Sequence, residues 1–164
     1  MGEVGGIRYL IRSSSLAGPD LDQLLVAEQQ VVLAVPKGNP LTKLKGLRLA
    51  GSDGNALVWF PRRPNHELYN RMMHECYRGG LKSPVQEGLN EATILSLVST
   101  GLGVGWVLGT ARWRCPETVA VLHVVDLNMP LTLALVWRRD NTSPLLAHFI
   151  GDVRRLPDVR AVNR

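Results

Sequence analysis

The segment WFPRRPN at 59–65 carries two guanidinium groups and two aromatic rings within one short stretch. An apolar run at 56–60 predicts a buried strand, and apolar residues at helical spacing follow from residue 64. Free backbone N–H groups and the positive end of a helix dipole converge at such a turn and favour an anion. The planar forks of the arginines suit a carboxylate, and the aromatic rings suit the apolar part of a ligand. The candidate ligand contacts here are Phe60, Pro61, Arg62 and Arg63. Solvated arginines beside core aromatics would explain the same pattern.

A second candidate turn is LNEAT at 89–93, which again precedes a predicted helix. Asn90 has the residue type of an N-cap, and the free N–H groups after it are able to face the same ligand. Asn90 and Thr93 are therefore further candidate contacts. A simple helix cap is the competing interpretation.

Other residues that could do chemistry lack the spacing that chemistry requires. The glycines at 101, 103 and 105 follow a predicted helix and precede a strand, which is the reverse of a dinucleotide fingerprint. The four histidines show no zinc spacing, and no G-x-S-x-G elbow is present. Glu87 and Glu91 fit a solvated face as well as acid–base work. We expect no enzyme activity, no metal and no cofactor.

Composition indicates a globular domain that works in the cytoplasm. The 164-residue chain is 45% hydrophobic and 20% charged, and its two cysteines are expected to be reduced. No stretch approaches the roughly 18 apolar residues of a membrane span, and no signal peptide is recognisable. The net charge of +5 comes from scattered basic residues, so direct DNA binding by this chain is not expected.

The order of the predicted elements indicates an α/β fold. The opening to residue 25 is predicted as one short apolar piece at 7–11 followed by a connector. Further strands are predicted at 31–35, 56–60, 85–87, 104–108, 118–125 and 131–137, and helices at 64–78, 90–101 and 144–156. Ligands of such folds bind at the carboxyl ends of strands, where the next helices begin.

Several of these segments, in this order, resemble the effector-binding domain of LysR-type transcriptional regulators. VVLAVPKGNPL at 31–41 is similar to the family's apolar strand followed by P-x-G-H/N-P-L. The segment 85–95, with LVSTGLGV at 97–104, resembles its helix and glycine turn, and 131–138 resembles a strand that returns to the first subdomain. The likeness runs from about residue 3 to residue 156.

The resemblance implies a periplasmic-binding-protein-like (type 2) subdomain with a mixed, mostly parallel sheet flanked by helices, plus a remnant of the other subdomain. It implies the end of subdomain I and a first crossover at 1–17, the effector-binding subdomain II at 18–125, a second crossover and return at 126–157, and a tail at 158–164. In the family the effector lies between subdomains, so Arg8 or Tyr9 of the first crossover is a further candidate contact.

The resemblance also implies partners. A winged helix-turn-helix and the first half of subdomain I are not recognisable, so we expect a chain truncated at its amino-terminal side that reaches DNA only through the missing domain. Incompletely covered apolar faces at 131–137 and 144–156 predict a homodimer, and exchange of these elements between two chains is one way to form it. The expected effector is a small organic acid. The alternatives are a fragment of a periplasmic-type solute-binding protein, and an enzyme on an α/β scaffold.

Overall fold

The computed structural model describes residues 2–4, 7–12, 19–52, 54–63, 65–80 and 86–156. The chain divides into two compact units, Met1–Gln29 with Pro130–Arg164 and Gln30–Met129. The described strands are β1 (Gly2–Val4), β2 (Ile7–Arg12), β3 (Leu21–Pro36), β4 (Leu57–Trp59), β5 (Gln86–Glu87), β6 (Val104–Leu108), β7 (Val119–Leu122) and β8 (Pro130–Arg138). The described α-helices are α1 (His66–Arg78), α2 (Glu91–Ser99) and α3 (Pro144–Arg154).

The unit at 30–129 is built around the succession β4–α1–β5–α2–β6. Its strands follow the spatial order β3, β6, β4, β5, and β4 pairs in parallel with both β5 and β6. The two helices supply the long connections that parallel neighbours need. β3 pairs antiparallel with β6 and with β7, so the sheet is mixed, as predicted.

The expectation of a mostly parallel sheet was too strong. β1 with β2, β2 with β8, and β3 with both β6 and β7 are antiparallel ladders. The parallel pairs lie where a helical crossover links successive strands. The four antiparallel ladders outnumber these two parallel ones among the described strand pairs.

One face of this sheet packs closely on α2. Val58, Val107, Ile94 and Val98 belong to one buried cluster. Gly105 makes the close approach possible, because a Cβ there would lie 2.5 Å from Cγ2 of Ile94. On the neighbouring position of β6, the side chain of Trp106 contacts Cys76 of α1. Because successive residues of a strand point to opposite faces, α1 and α2 cover different faces of the sheet.

Both helices of this unit begin at an asparagine cap. Oδ1 of Asn65 accepts a hydrogen bond from the backbone N–H of Leu68 at 2.9 Å. Oδ1 of Asn90 accepts one from Thr93 at 2.9 Å, which confirms the predicted cap of α2. The predicted start of the first helix at residue 64 falls outside the described residues, and α1 begins at His66.

The other unit corrects the sequence analysis at its longest strand. β3 begins at Leu21, whereas a connector was predicted up to residue 25. Leu24 is buried with Leu146 and Ile150 of α3, so this polar-looking segment has a core position of its own. α3 begins after Ser143, as predicted, but its apolar residues are not all covered: Leu145 is 78% exposed and Phe149 42% exposed.

Candidate functional site

The turn between β4 and α1 carries the main predicted contacts. β4 ends at Trp59 and α1 begins at His66. Phe60 is half-buried and packs against the cluster beneath α2. Its ring meets that of Trp59 edge-on, with centroids 4.9 Å apart and planes at 67°. Trp59 is itself buried, contrary to the expectation that both rings would face a ligand, so only Phe60 is left to offer apolar contact at the turn.

Both arginines of the turn are exposed, and one is oriented by the helix that follows. Nε of Arg62 donates a hydrogen bond to Oδ1 of Asn70 at 3.2 Å. The guanidinium keeps further N–H donors after this bond is made. Arg63 is also exposed. Phe60, Pro61, Arg62 and Arg63 thus lie at a turn between a strand and a helix, as the sequence predicted. Their contact with a ligand stays a prediction.

The charges at this turn are mixed. Glu67 lies in the first turn of α1, and Glu87 is the β5 residue paired with Trp59. Burial raises the pKa of the Tyr69 phenol, the Glu87 carboxylate adds to this rise, and Arg62 acts in the opposite direction. Two carboxylates therefore balance the formal charge of two arginines. Selection of an anion at this turn has to come from directed guanidinium hydrogen bonds rather than from a strong positive field.

The start of α2 has a tight hydrogen-bonded arrangement of its own. Oδ1 of Asn90 accepts from both the backbone N–H and the hydroxyl of Thr93, the latter at 3.0 Å. The carboxylate of Glu91 accepts from the backbone N–H of Leu108 at 3.2 Å and from Arg114 at 2.8 Å. The structure thus gives Asn90 and Thr93 the contacts of a helix cap. Their role in ligand binding stays a prediction.

The predicted crossover contribution lies in the other unit. Arg8 and Tyr9 belong to β2 and pair with Val136 and Leu135 of β8. Only their backbone is described, so the proposed contact of either side chain with an effector stays a prediction.

A buried hydrogen-bond donor that the sequence does not predict lies next to the turn. The side chain of Trp59 is only 2% exposed, and its Nε1 has no hydrogen-bond partner among the described residues. A buried N–H without an acceptor is costly. The sequence is compatible with either a ligand-facing or a core ring at Trp59, and neither interpretation indicates an N–H without an acceptor.

Two further structural observations concern only the described residues. They contain no group of three or more histidine, cysteine, aspartate or glutamate side chains placed to hold a metal ion. None of their helices has the length and apolar character needed to cross a bilayer.

Comparison with known proteins identifies relatives over most of the chain. A family model described as the LysR substrate binding domain matches residues 6–157. The HTH-type transcriptional regulator AlsR of Bacillus subtilis is 28% identical over 122 residues, which are 73% of this chain and 40% of AlsR. The HTH-type transcriptional regulator IlvR of Caulobacter vibrioides is 37% identical over 102 residues, which are 61% of this chain and 34% of IlvR. The chain thus spans well under half the length of these relatives.

Solved structures of the same kind share the fold. The effector binding domain of a BenM variant aligns with a TM-score of 0.72 at 15% identity, covering 93% of this chain and 74% of that one. The effector binding domain of QuiR in complex with shikimate aligns with a TM-score of 0.68 at 18% identity, covering 90% of this chain and 70% of that one. Both comparisons confirm the predicted type of fold.

Proposed function

Because this chain belongs to the LysR substrate binding domain family, we propose that it senses a small organic acid for a LysR-type transcriptional regulator. The observation that carries the choice of ligand is the pair Arg62 and Arg63, exposed where β4 turns into α1. Structures with this fold include the BenM effector binding domain with benzoate and that of QuiR with shikimate. Both of these ligands carry a carboxylate.

The turn offers each part of such a ligand a suitable surface. The arginines supply forked donors to the carboxylate, and the N–H groups of the first turn of α1 add to them. Phe60 and Pro61 supply apolar contact for the carbon skeleton. Because Glu67 and Glu87 offset the positive charge of the turn, we expect a ligand with one or two carboxylates to be held by directed hydrogen bonds from the guanidinium groups. Its affinity should therefore fall steeply when one guanidinium is removed.

We propose that the remaining predicted contacts assist this turn. Asn90 and Thr93 would contribute from the start of α2, and Arg8 or Tyr9 from β2. We assign residues 1–17 to the end of subdomain I and the first crossover, and residues 18–125 to effector-binding subdomain II. Residues 126–157 would form the second crossover and the return into subdomain I, and residues 158–164 a tail.

We infer that the domain acts within the regulator by binding a ligand and not by catalysis. We also infer that it works in the cytoplasm. Effector binding would shift the population of domain conformations, and a separate helix-turn-helix domain would contact DNA. Relatives named as HTH-type transcriptional regulators favour this role over that of a solute-binding protein.

We further propose that the protein forms a homodimer that covers the exposed apolar residues of α3. Leu145 and Phe149 lie four residues apart on this helix and are 78% and 42% exposed. Sedimentation at micromolar concentration should show a dimer that weakens in Phe149→Ser. A stable monomer of the parent protein would contradict this proposal.

A thermal-shift screen of aromatic and dicarboxylic acids tests the sensing proposal. At least one acid should raise the Tm of the parent protein, and Arg62→Ala or Arg63→Ala should reduce the shift. Arg154→Ala, which removes an exposed arginine from α3, is the matched control and should respond like the parent. A thermal shift as large as that of the parent in both turn variants would remove these arginines from the site.

A further inference from the structure

A cavity separate from the Phe60–Arg63 turn lies beside α1 in the unit at 30–129. Its volume is about 380 Å³, and it is lined by Asn70, Arg71, His74, Glu75, Asn128 and Met129. This size is sufficient for a small organic ligand. None of the lining residues is among the ligand contacts that the sequence predicts.

The helical side of this cavity is rich in hydrogen-bond donors. Asn70, Arg71, His74 and Glu75 recur at the three- and four-residue spacing that places side chains along one strip of a helix. Oδ1 of Asn70 accepts from Nε of Arg62, so the amide nitrogen of Asn70 is the group left to donate to an occupant. The opposite wall adds the exposed amide of Asn128 and the buried side chain of Met129.

The acidic member of the wall is compensated. Oε2 of Glu75 accepts a hydrogen bond from Nη2 of Arg78 at 2.5 Å, so its charge is balanced outside the cavity. Arg71 has an interaction of its own, but a guanidinium carries five N–H donors and can serve a second acceptor. Donors therefore outnumber uncompensated acceptors, and an occupant with an anionic oxygen fits this wall best.

We propose that this cavity is a second binding site, which takes a small carboxylate between Arg71 and the amides of Asn70 and Asn128. The carbon skeleton of the ligand would lie against Met129. This site goes beyond the effector turn proposed above and does not depend on it. Arg62 belongs to the effector turn and also bonds to Asn70, so Arg62→Ala cannot separate the two sites; Arg63→Ala can.

The test is a nitrogen-15 NMR titration of the protein with benzoate and with succinate, against sodium chloride at equal ionic strength. At least one acid should shift the side-chain amide signals of Asn70 and Asn128 in a saturable manner. Arg71→Gln should weaken that binding at least about tenfold, as expected for loss of a charged hydrogen bond. His74→Ala removes an N–H donor from the exposed wall of the cavity without disturbing the core, so it should also weaken binding of the acid. Arg63→Ala, the control, should leave these shifts unchanged.

The outcomes separate the two sites. Saturable shifts at Asn70 and Asn128 that survive both Arg71→Gln and His74→Ala would overturn the cavity site, as would the absence of any saturable shift there. Shifts confined to residues 60–63 would overturn the cavity site while supporting the effector turn. Shifts at the cavity alone, lost in Arg71→Gln and kept in Arg63→Ala, would support the cavity and count against the effector turn.

Discussion

The indole Nε1 of Trp106 donates a hydrogen bond to Sγ of Cys76 at 3.2 Å, which joins β6 to α1. Both side chains are buried. Burial raises the pKa of the Cys76 thiol to about 11, and the Trp106 N–H acts in the opposite direction as a donor to the thiolate. Cys76 is therefore a neutral core residue and not a reactive thiol.

We predict that the two cysteines differ strongly in reactivity. At pH 8 iodoacetamide should label half-buried Cys115 of the native protein and leave Cys76 almost unlabelled. Peptide mass spectrometry after timed quenching measures both sites, and labelling in urea provides the fully accessible control. Equal native rates at the two cysteines would contradict the described packing.

The same pKa predicts how stability depends on pH. An unfolded cysteine loses its proton near about pH 8.5. Because the folded pKa is raised to about 11, the unfolded state binds fewer protons than the folded state between about pH 8.5 and about pH 11. The free energy of unfolding therefore falls as the pH rises through this range. The loss attributable to Cys76 is about 2 to 3 kcal/mol. Urea unfolding at pH 8 and pH 10.5 should show a smaller decrease for Cys76→Ala than for the parent protein.

Gly105 should tolerate no side chain. A Cβ there would lie 2.5 Å from Cγ2 of Ile94 and 3.2 Å from Cγ2 of Val98, so α2 would have to move off the sheet. We expect Gly105→Ala to cost about 1 to 3 kcal/mol in urea unfolding. Gly38→Ala is the control, because a Cβ at Gly38 meets nothing within 4 Å, and it should change stability by less than about 0.5 kcal/mol.

Glu91 should matter more for its bond to the backbone than for its ion pair. Arg114 is 67% exposed on its side chain, so its contact with Glu91 is screened by solvent. The N–H of Leu108, in contrast, would lose its acceptor in Glu91→Ala. We expect about 1 kcal/mol of destabilisation for Glu91→Ala and less than about half of that for Arg114→Ala. Equal losses of stability in urea unfolding would contradict this ranking.

The sequence predicts most of the fold because its strands and helices have distinct patterns. The apolar run at 104–108 coincides with β6, Asn90 is the predicted cap of α2, and α3 begins at Pro144 as predicted. The first part of β3 was missed because it contains few buried positions. There, pairing with a neighbouring strand and contact of Leu24 with α3 stabilise a segment whose only apolar run, LLVA at 24–27, is short and lies between polar residues.

The candidate site could be predicted only in part. The chain position of Arg62 and Arg63 follows from a strand that ends and a helix that begins. The bond from Arg62 to Asn70 does not, because it depends on the rotamer of a long side chain laid along α1. The buried N–H of Trp59 and the cavity beside Asn70 likewise depend on packing between segments distant in sequence.

The central claim is that the turn from β4 to α1 binds the carboxylate of the effector through Arg62 and Arg63. Isothermal titration calorimetry of the acid that gives the largest thermal shift tests this most directly, with the parent protein, Arg63→Ala and the Arg154→Ala control. We predict that Arg63→Ala raises the Kd at least about tenfold, as expected for loss of a charged hydrogen bond, while Arg154→Ala leaves the Kd unchanged. A Kd for Arg63→Ala within about twofold of the parent value would contradict the assignment of the effector site to this turn.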